Sequence, residues 1–444
     1  MNGRMTGRVR KRSWATKDGE RSSYEYIVNL HPKPVTRSGY GTKQDAQTVL
    51  RDELDGRERG TWVEPSQETL AGLLNGEYLP KVEQAQRAST HDLYQRMARL
   101  HIIPHIGDLS LQSIRSTDVR KLYKKLREEG SDGGRGALGY SSLHNVHTVL
   151  HGALAYAFTE EKVRRNVADN CDPKRGADDD DGEEVAFWTP AQLGVFLDQV
   201  DLDTSEHVAT ERRERKGKAY TYQRHVDADP MLRALMYVFV ATGARRGEVC
   251  GLRWPHIDTA GVVSVRRARV MVGGRVVDSK PKTKRGSRRV QLDEAAMAVL
   301  EEWREQQKRD RATYRQGWED DADHVFTHAV RFSKPARYGV PVRPDWVTRA
   351  FHKVAARAGL PPLRLHGLRH SWATTAHLNG VTLRAIADQL GHADTSVTDR
   401  TYTATLQKVQ DEAAAKVAAS VTGSRGGGRQ EKRDRNGTEG QSTE

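Results

Sequence analysis

The chain has 444 residues, too many for one ordinary hydrophobic core, so two or three domains are expected. Its 72 Lys and Arg exceed its 59 Asp and Glu, and the net charge of +13 suits a polyanionic partner, nucleic acid ahead of anionic membrane. The two cysteines, Cys171 and Cys250, have neither metal nor disulfide spacing, which excludes a thiol-built zinc site, and no apolar run approaches the roughly 18 residues that cross a bilayer. With no signal-peptide core at Met1-Asn2-Gly3-Arg4, the expected location is a reducing cytoplasm, associated with the nucleoid.

Residues 1–62 read as a small basic module. Tyr24 to Leu30 alternates like a strand, Lys33 to Arg37 is a basic, turn-rich stretch, and Thr42 starts a helix through Ala46, Val49, Leu50 and Leu54. Over 67–172 the apolar spacing becomes helical. Leu70, Leu73 and Leu74 form one stripe, Leu93, Met97 and Leu100 a second, a third helix starts near a cap at Thr117 or Asp118, and a fourth spans Ser141 to Glu161. Four helices make a compact bundle.

Residues 173–186 contain Asp178-Asp179-Asp180-Asp181, a self-repelling run best read as an extended linker, with metal binding as the alternative. Residues 187–420 form the last folded domain. Thr189 caps a helix, Asp203 to Asp229 is a charged stretch resembling a surface insertion, and Leu232 to Ala241 is an apolar helix ending at Gly243. Val262 to Leu292 is β-rich, with turn signals at Gly273-Gly274 and Arg285-Gly286-Ser287. Helices follow at about 294–309, 345–358, 366–378 and 383–390, and the Gly-, Arg- and Ser-rich residues 421–444 are expected to be disordered. The fold class is therefore multidomain α+β: a β-sheet-plus-helix module, a helical bundle, and a mainly helical domain with a small antiparallel sheet.

Three places in that last domain carry candidate chemistry. In Thr242-Gly243-Ala244-Arg245-Arg246-Gly247-Glu248 a helix stops and another begins, so Arg245 can offer a phosphate its donor fork, or simply pair with Glu248. His366 and Arg369 share a helix face and suit an anion. A zinc helix through His366 and His370 is the competing reading, but Gly367 stands where a metalloprotease has glutamate. Lys280, Lys282 and Lys284 flank a turn between strands, where an ammonium can protonate a departing alkoxide. Beyond the helix stop Leu390-Gly391 lie His392 and Tyr402. A phenol with a pKa near ~10 attacks phosphorus only if cations stabilise it or a base takes its proton.

Taken in order, these residues resemble the tyrosine recombinase (phage-type integrase) family, most specifically over Thr242 to Arg253 and His366 to Tyr402, and look most like integrases of actinobacterial phages and integrative plasmids. The resemblance implies catalytic roles for Arg245, Lys282, His366, Arg369, His392 and the nucleophile Tyr402, with Glu248 supporting the first arginine. Lys282 before Thr283 fits the family pattern best among its neighbouring lysines. It further implies an arm-type DNA-binding module at 1–62, a core-binding (SAM-like) domain at 67–172, and a catalytic domain at 187–420. Strand exchange would proceed through a 3′-phosphotyrosine with neither cofactor nor metal.

Implied partners are double-stranded DNA at core and arm attachment sites, further copies in a homotetramer on DNA, a directionality factor and a DNA-bending host protein, with no membrane. Leu406, Val409, Ala413 and Val417 form a stripe that would dock on a neighbouring copy or cap the chain's own domain. A catalytically inactive DNA-binding regulator, a type IB topoisomerase-like enzyme and, more distantly, a metallopeptidase are the alternatives.

Overall fold

The computed structural model describes residues 6–17, 19–29, 33–130, 136–175, 186–215, 218–226, 228–279, 287–330 and 335–391, with the backbone alone over 207–226 and at 330. It divides into two compact units, Met1–Asp180 and Asp181–Glu444.

The first unit opens with three antiparallel strands, β1 (Gly7–Thr16), β2 (Gly19–Val28) and β3 (Val35–Tyr40), with β2 in the centre. The basic stretch expected to be a turn thus contributes a strand, and Arg37 lies on it. Helix α1 (Lys43–Glu58) begins where Thr42 accepts the Asp45 amide, and it lays Leu50 against Tyr26 and Val28. Strand β1 presents Arg8, Lys11 and Arg12 to solvent.

Glu53 is fully buried under this sheet. It accepts the Tyr26 hydroxyl at 2.7 Å and binds Arg57 at 2.8 Å and Arg37 at 3.3 Å. Arg37 and Arg57 also face the Trp62 ring, which Arg164 of the following helical layer faces as well.

That layer contains α2 (Leu70–Leu73), α3 (Leu79–Ala85), α4 (Ala88–Met97), α5 (Ile103–Ile106), α6 (Ser116–Glu128) and α7 (Tyr140–Thr159). Wider π-turns at Leu74–Tyr78 and Ala98–Ile102 run α2 into α3 and α4 into α5, so the six pieces act as the four helices expected. Their core joins Leu70, Leu73, Leu74, Ile102, Leu126, Val146 and Leu150. Gly152 lets α7 approach Tyr78, whose hydroxyl would sit 2.2 Å from a Cβ there. The start of α6 differs from expectation: Arg115 is the N-cap, and Asp118 accepts its amide at 2.9 Å from the third helical position. The polyaspartate run lies outside the described residues.

The second unit begins with α8 (Pro190–Thr204), capped by Thr189. The charged stretch after it forms an antiparallel ribbon of β4 (His207–Arg215) and β5 (Lys218–Val226), closed at its base where the Asp229 amide donates to Thr204 at 2.8 Å. There follow α9 (Pro230–Thr242), the short α10 (Arg246–Cys250), and strands β6 (Val262–Val265), β7 (Ala268–Val272), β8 (Arg275–Ser279) and β9 (Arg288–Gln291). Instead of one sheet these make two ladders, β6 with β9 and β7 with β8. Gly273 and Gly274, both at positive φ, close the β7–β8 hairpin as their sequence suggested.

The chain continues through α11 (Glu294–Thr313), a further pair β10 (Thr327–Val330) and β11 (Arg337–Pro341), α12 (Pro344–Arg357), α13 (Gly367–Leu378) and α14 (Leu383–Leu390). Trp188, Phe196 and Phe351 pack at the centre of the core, which spans α8, α9, α11 and α12. Asp118 aside, the capping residues anticipated at Thr42 and Thr189 are those used.

The Glu53 arrangement predicts a large cost for its removal. Glu53→Ala leaves two guanidiniums and a buried phenol without their shared acceptor, and should destabilise the first unit by about 3 kcal/mol. Denaturant unfolding followed by Trp62 fluorescence measures it.

Candidate active site

The site grows from two helix ends. Helix α9 stops at Gly243, whose φ of 57° lets the chain reverse where a side chain would meet Trp372 at 3.0 Å. Two residues later Arg245 is the N-cap of α10. Its amide donates to Glu248 at 2.9 Å and its Nη1 to the same carboxylate at 3.0 Å. The alternative reading of Arg245 as a partner of Glu248 is therefore real, yet 41 % of its side chain remains accessible. Its Nη2 reaches the Gly391 carbonyl at 3.3 Å.

Helix α14 ends the same way, with Gly391 at φ 68°. Buried Arg369 joins the two ends: Nη1 donates to the Gly243 carbonyl at 3.1 Å and Nη2 to that of Leu390. One guanidinium from α13 thus holds together the turn that carries Arg245 and the turn that leads into His392.

The residue not anticipated is Arg288, the first of β9. Its two terminal nitrogens grip Glu248 at 3.0 and 2.8 Å, and its Nε donates to the Gln389 carbonyl. Both side chains of this pair are under a tenth exposed. Burial raises the Glu248 pKa, but Arg288 and then Arg245 outweigh it, and the carboxyl is held below its ordinary range. The signal for Arg288 was faint, one of several arginines in Arg285 to Arg289.

His366 sits at the N-cap of α13, exposed on one side. Protein packed behind the ring lowers its pKa, as do Arg369 and Arg245, against an opposing pull from Glu248. It is thus a neutral imidazole at neutral pH, able to accept a proton. His370 stacks edge-on to it at 5.2 Å and is pushed down to about 4, first by burial. Among the described residues no group of three His, Cys, Asp or Glu side chains is placed to hold a metal ion.

The structure therefore brings together Arg245, Glu248, His366 and Arg369 with Arg288. Lys280, Lys282, Lys284, His392 and Tyr402 lie outside the described residues, though Gly391 and Ser279, the neighbours of two of them, are inside.

Residues 220–408 match the model of the phage integrase family, and residues 74–127 that of the phage integrase N-terminal SAM-like domain. The chain belongs to the phage integrase family. It is 23 % identical over 396 residues to a XerC-like tyrosine recombinase of Caldanaerobacter subterraneus, covering 86 % of this chain and 91 % of that one. An integrase of Streptomyces ambofaciens is 25 % identical, covering 85 % and 87 %, and that of Mycobacterium phage D29 is 25 % identical, covering 86 % and 91 %. The fold is similar to that of the Tn1549 transposon integrase, solved with a circular intermediate DNA, with a TM-score of 0.55 at 18 % identity over 76 % of this chain and 95 % of that one. This integrase-family chain is a tyrosine recombinase, an enzyme of the DNA strand-transferase class that carries out site-specific recombination. No helix among its described residues is long and apolar enough to cross a membrane.

For the recombinase, the Glu248–Arg288 fork predicts that charge alone is insufficient at 288. Arg288→Lys keeps the charge but loses the bidentate grip, and should slow strand cleavage by roughly 10–100-fold while DNA binding persists. Cleavage of labelled DNA alongside a mobility-shift titration measures both.

Proposed function

We propose that the recombinase cleaves DNA through Tyr402, with the cluster around Glu248 as the phosphate site. The reading is carried by one observation: Arg245 reaches the Gly391 carbonyl and Arg369 that of Leu390, the two residues before His392, with His366 close enough to both arginines to feel their charge. Tyr402 Oη attacks the scissile phosphorus, the bond from phosphorus to the 5′ oxygen breaks, and a 3′-phosphotyrosine forms. His366 takes the phenolic proton, and Lys282 gives a proton to the leaving 5′ oxygen.

Arg245, with its accessible face, binds a non-bridging oxygen directly. Arg369 stabilises the other from behind, its terminal nitrogens shared with Gly243 and Leu390, and His392 adds a further donor. The phosphodiester energy is kept in the covalent link, so a second DNA 5′-hydroxyl reverses the step without ATP or metal.

The same reading assigns arm-site DNA to 1–62, supported by exposed Arg8, Lys11 and Arg12, and core-site DNA to 67–172 and 187–420, joined by the 173–186 linker. Recombination then takes a homotetramer on two DNA sites in the cytoplasm, at the nucleoid, with a directionality factor and a DNA-bending host protein as accessories.

A nicked suicide substrate tests the chemistry. Wild-type protein should form a covalent adduct visible on a denaturing gel, Tyr402→Phe none, and Lys282→Ala an adduct only when the 5′ bridging oxygen is sulfur, which leaves without a proton. An adduct with Tyr402→Phe would disprove the nucleophile.

A further inference from the structure

The residues that fix the β7–β8 hairpin to α10 have no part in the chemistry described above. Their centre is Asp278, one residue before the end of β8 and two before Lys280. Its carboxylate meets Arg253 at 3.3 Å, Arg269 at 3.2 Å and His324 Nε2 at 3.7 Å. Behind it Asp320 accepts both the His324 ring at 2.7 Å and the His324 amide at 2.6 Å. His324 and Asp320 are buried, and Arg253 and Arg269 are mostly covered.

Arg253 comes three residues after α10, the helix that Arg245 caps. The same helix meets β7 through two glycines: a Cβ at Gly247 would lie 2.7 Å from the Arg269 carbonyl, and one at Gly251 3.1 Å from Ala268 Cα. Ala268 is the register partner of Ser279. The end of β8 is therefore held to the Arg245 segment twice, by backbone contact through β7 and by charge through Asp278.

After Ser279 the chain passes through residues 280–286 and is described again at Ser287. It is then gripped at once, where Arg288 forks Glu248. The end of β8 before residues 280–286 and Arg288 after them are thus both tied to the element that presents Arg245. An acid that must meet a leaving oxygen on the phosphate held by Arg245 needs this kind of tether, because a general acid is effective only within hydrogen-bond reach.

We infer that Asp278, held by Arg253, Arg269 and His324, is a positioning residue for the general acid of DNA cleavage: it sets where the lysine-bearing segment leaves the hairpin. This rests on the reading of a lysine as that acid. Loss of the Asp278 carboxylate leaves the phosphate site intact and misplaces the proton donor, so the defect should depend on whether the leaving group needs a proton.

The test compares Asp278→Asn and Arg269→Lys with wild type in the full chain, on suicide DNA with either oxygen or sulfur at the bridging 5′ position. Melting temperatures are recorded to confirm folding. Cleavage of the oxygen substrate should slow about tenfold or more in both variants, with the sulfur substrate changed less than about twofold. Equal slowing on both substrates, or none on either, overturns the positioning role. Lys280→Ala, Lys282→Ala and Lys284→Ala run in parallel. Sulfur rescue of one of them with equal slowing by Asp278→Asn overturns the positioning alone, whereas no rescue of any lysine overturns the acid assignment and the positioning together.

Discussion

One buried carboxylate, Glu248, organises the candidate active site. It receives the amide and side chain of Arg245 from one direction and the fork of Arg288 from the other. A buried carboxylate is tolerable only when paired and hydrogen-bonded, and removing a partner from such a pair costs about 3–5 kcal/mol. The same arrangement aims Arg245: its guanidinium cannot leave Glu248 without exposing that cost, so its free face is held toward whatever binds beyond.

A second constraint acts through carbonyls. Arg369 ties Gly243 to Leu390, closing the ends of α9 and α14 on each other. Both ends are left-handed glycine caps, a geometry that turns the chain sharply and exposes carbonyls that need donors. The arginine supplies them while remaining a fixed positive charge in a poorly solvated place, where electrostatic effects on a phosphate are greatest. In the proposed chemistry one side chain thus serves structure and catalysis together, and the His366 pKa is lowered first by burial and then by Arg369 and Arg245.

Much of this was legible in the sequence. Gly243 and Gly391 marked helix ends, the spacing of three between His366 and Arg369 placed them on one turn, and Gly273-Gly274 gave the hairpin. What escaped reading has physical causes. Strands β4 and β5 lack apolar alternation, so His207 to Val226 read as charged insertion. Strand β3 hid behind Lys33 and Pro34, and Asp118 supports a helix start three residues earlier than the cap it was expected to be. Arg288 and Asp278 escaped for another reason: their partners, Glu248 and Arg253, are 40 and 25 residues away, and only the fold brings them together. The six-residue series proposed as catalytic came through family resemblance, since periodicity alone could not choose among three lysines.

The central claim is that one phosphate meets Arg245, Arg369 and Tyr402 together. Its most direct test is a structure of the full chain trapped on nicked suicide DNA. The account predicts continuous density from Tyr402 Oη to the 3′ phosphate, with Arg245 within hydrogen-bond distance of a non-bridging oxygen and Arg369 lining the same side. A covalent link to any other residue, or a phosphate seated away from Arg245 and Glu248, would contradict it.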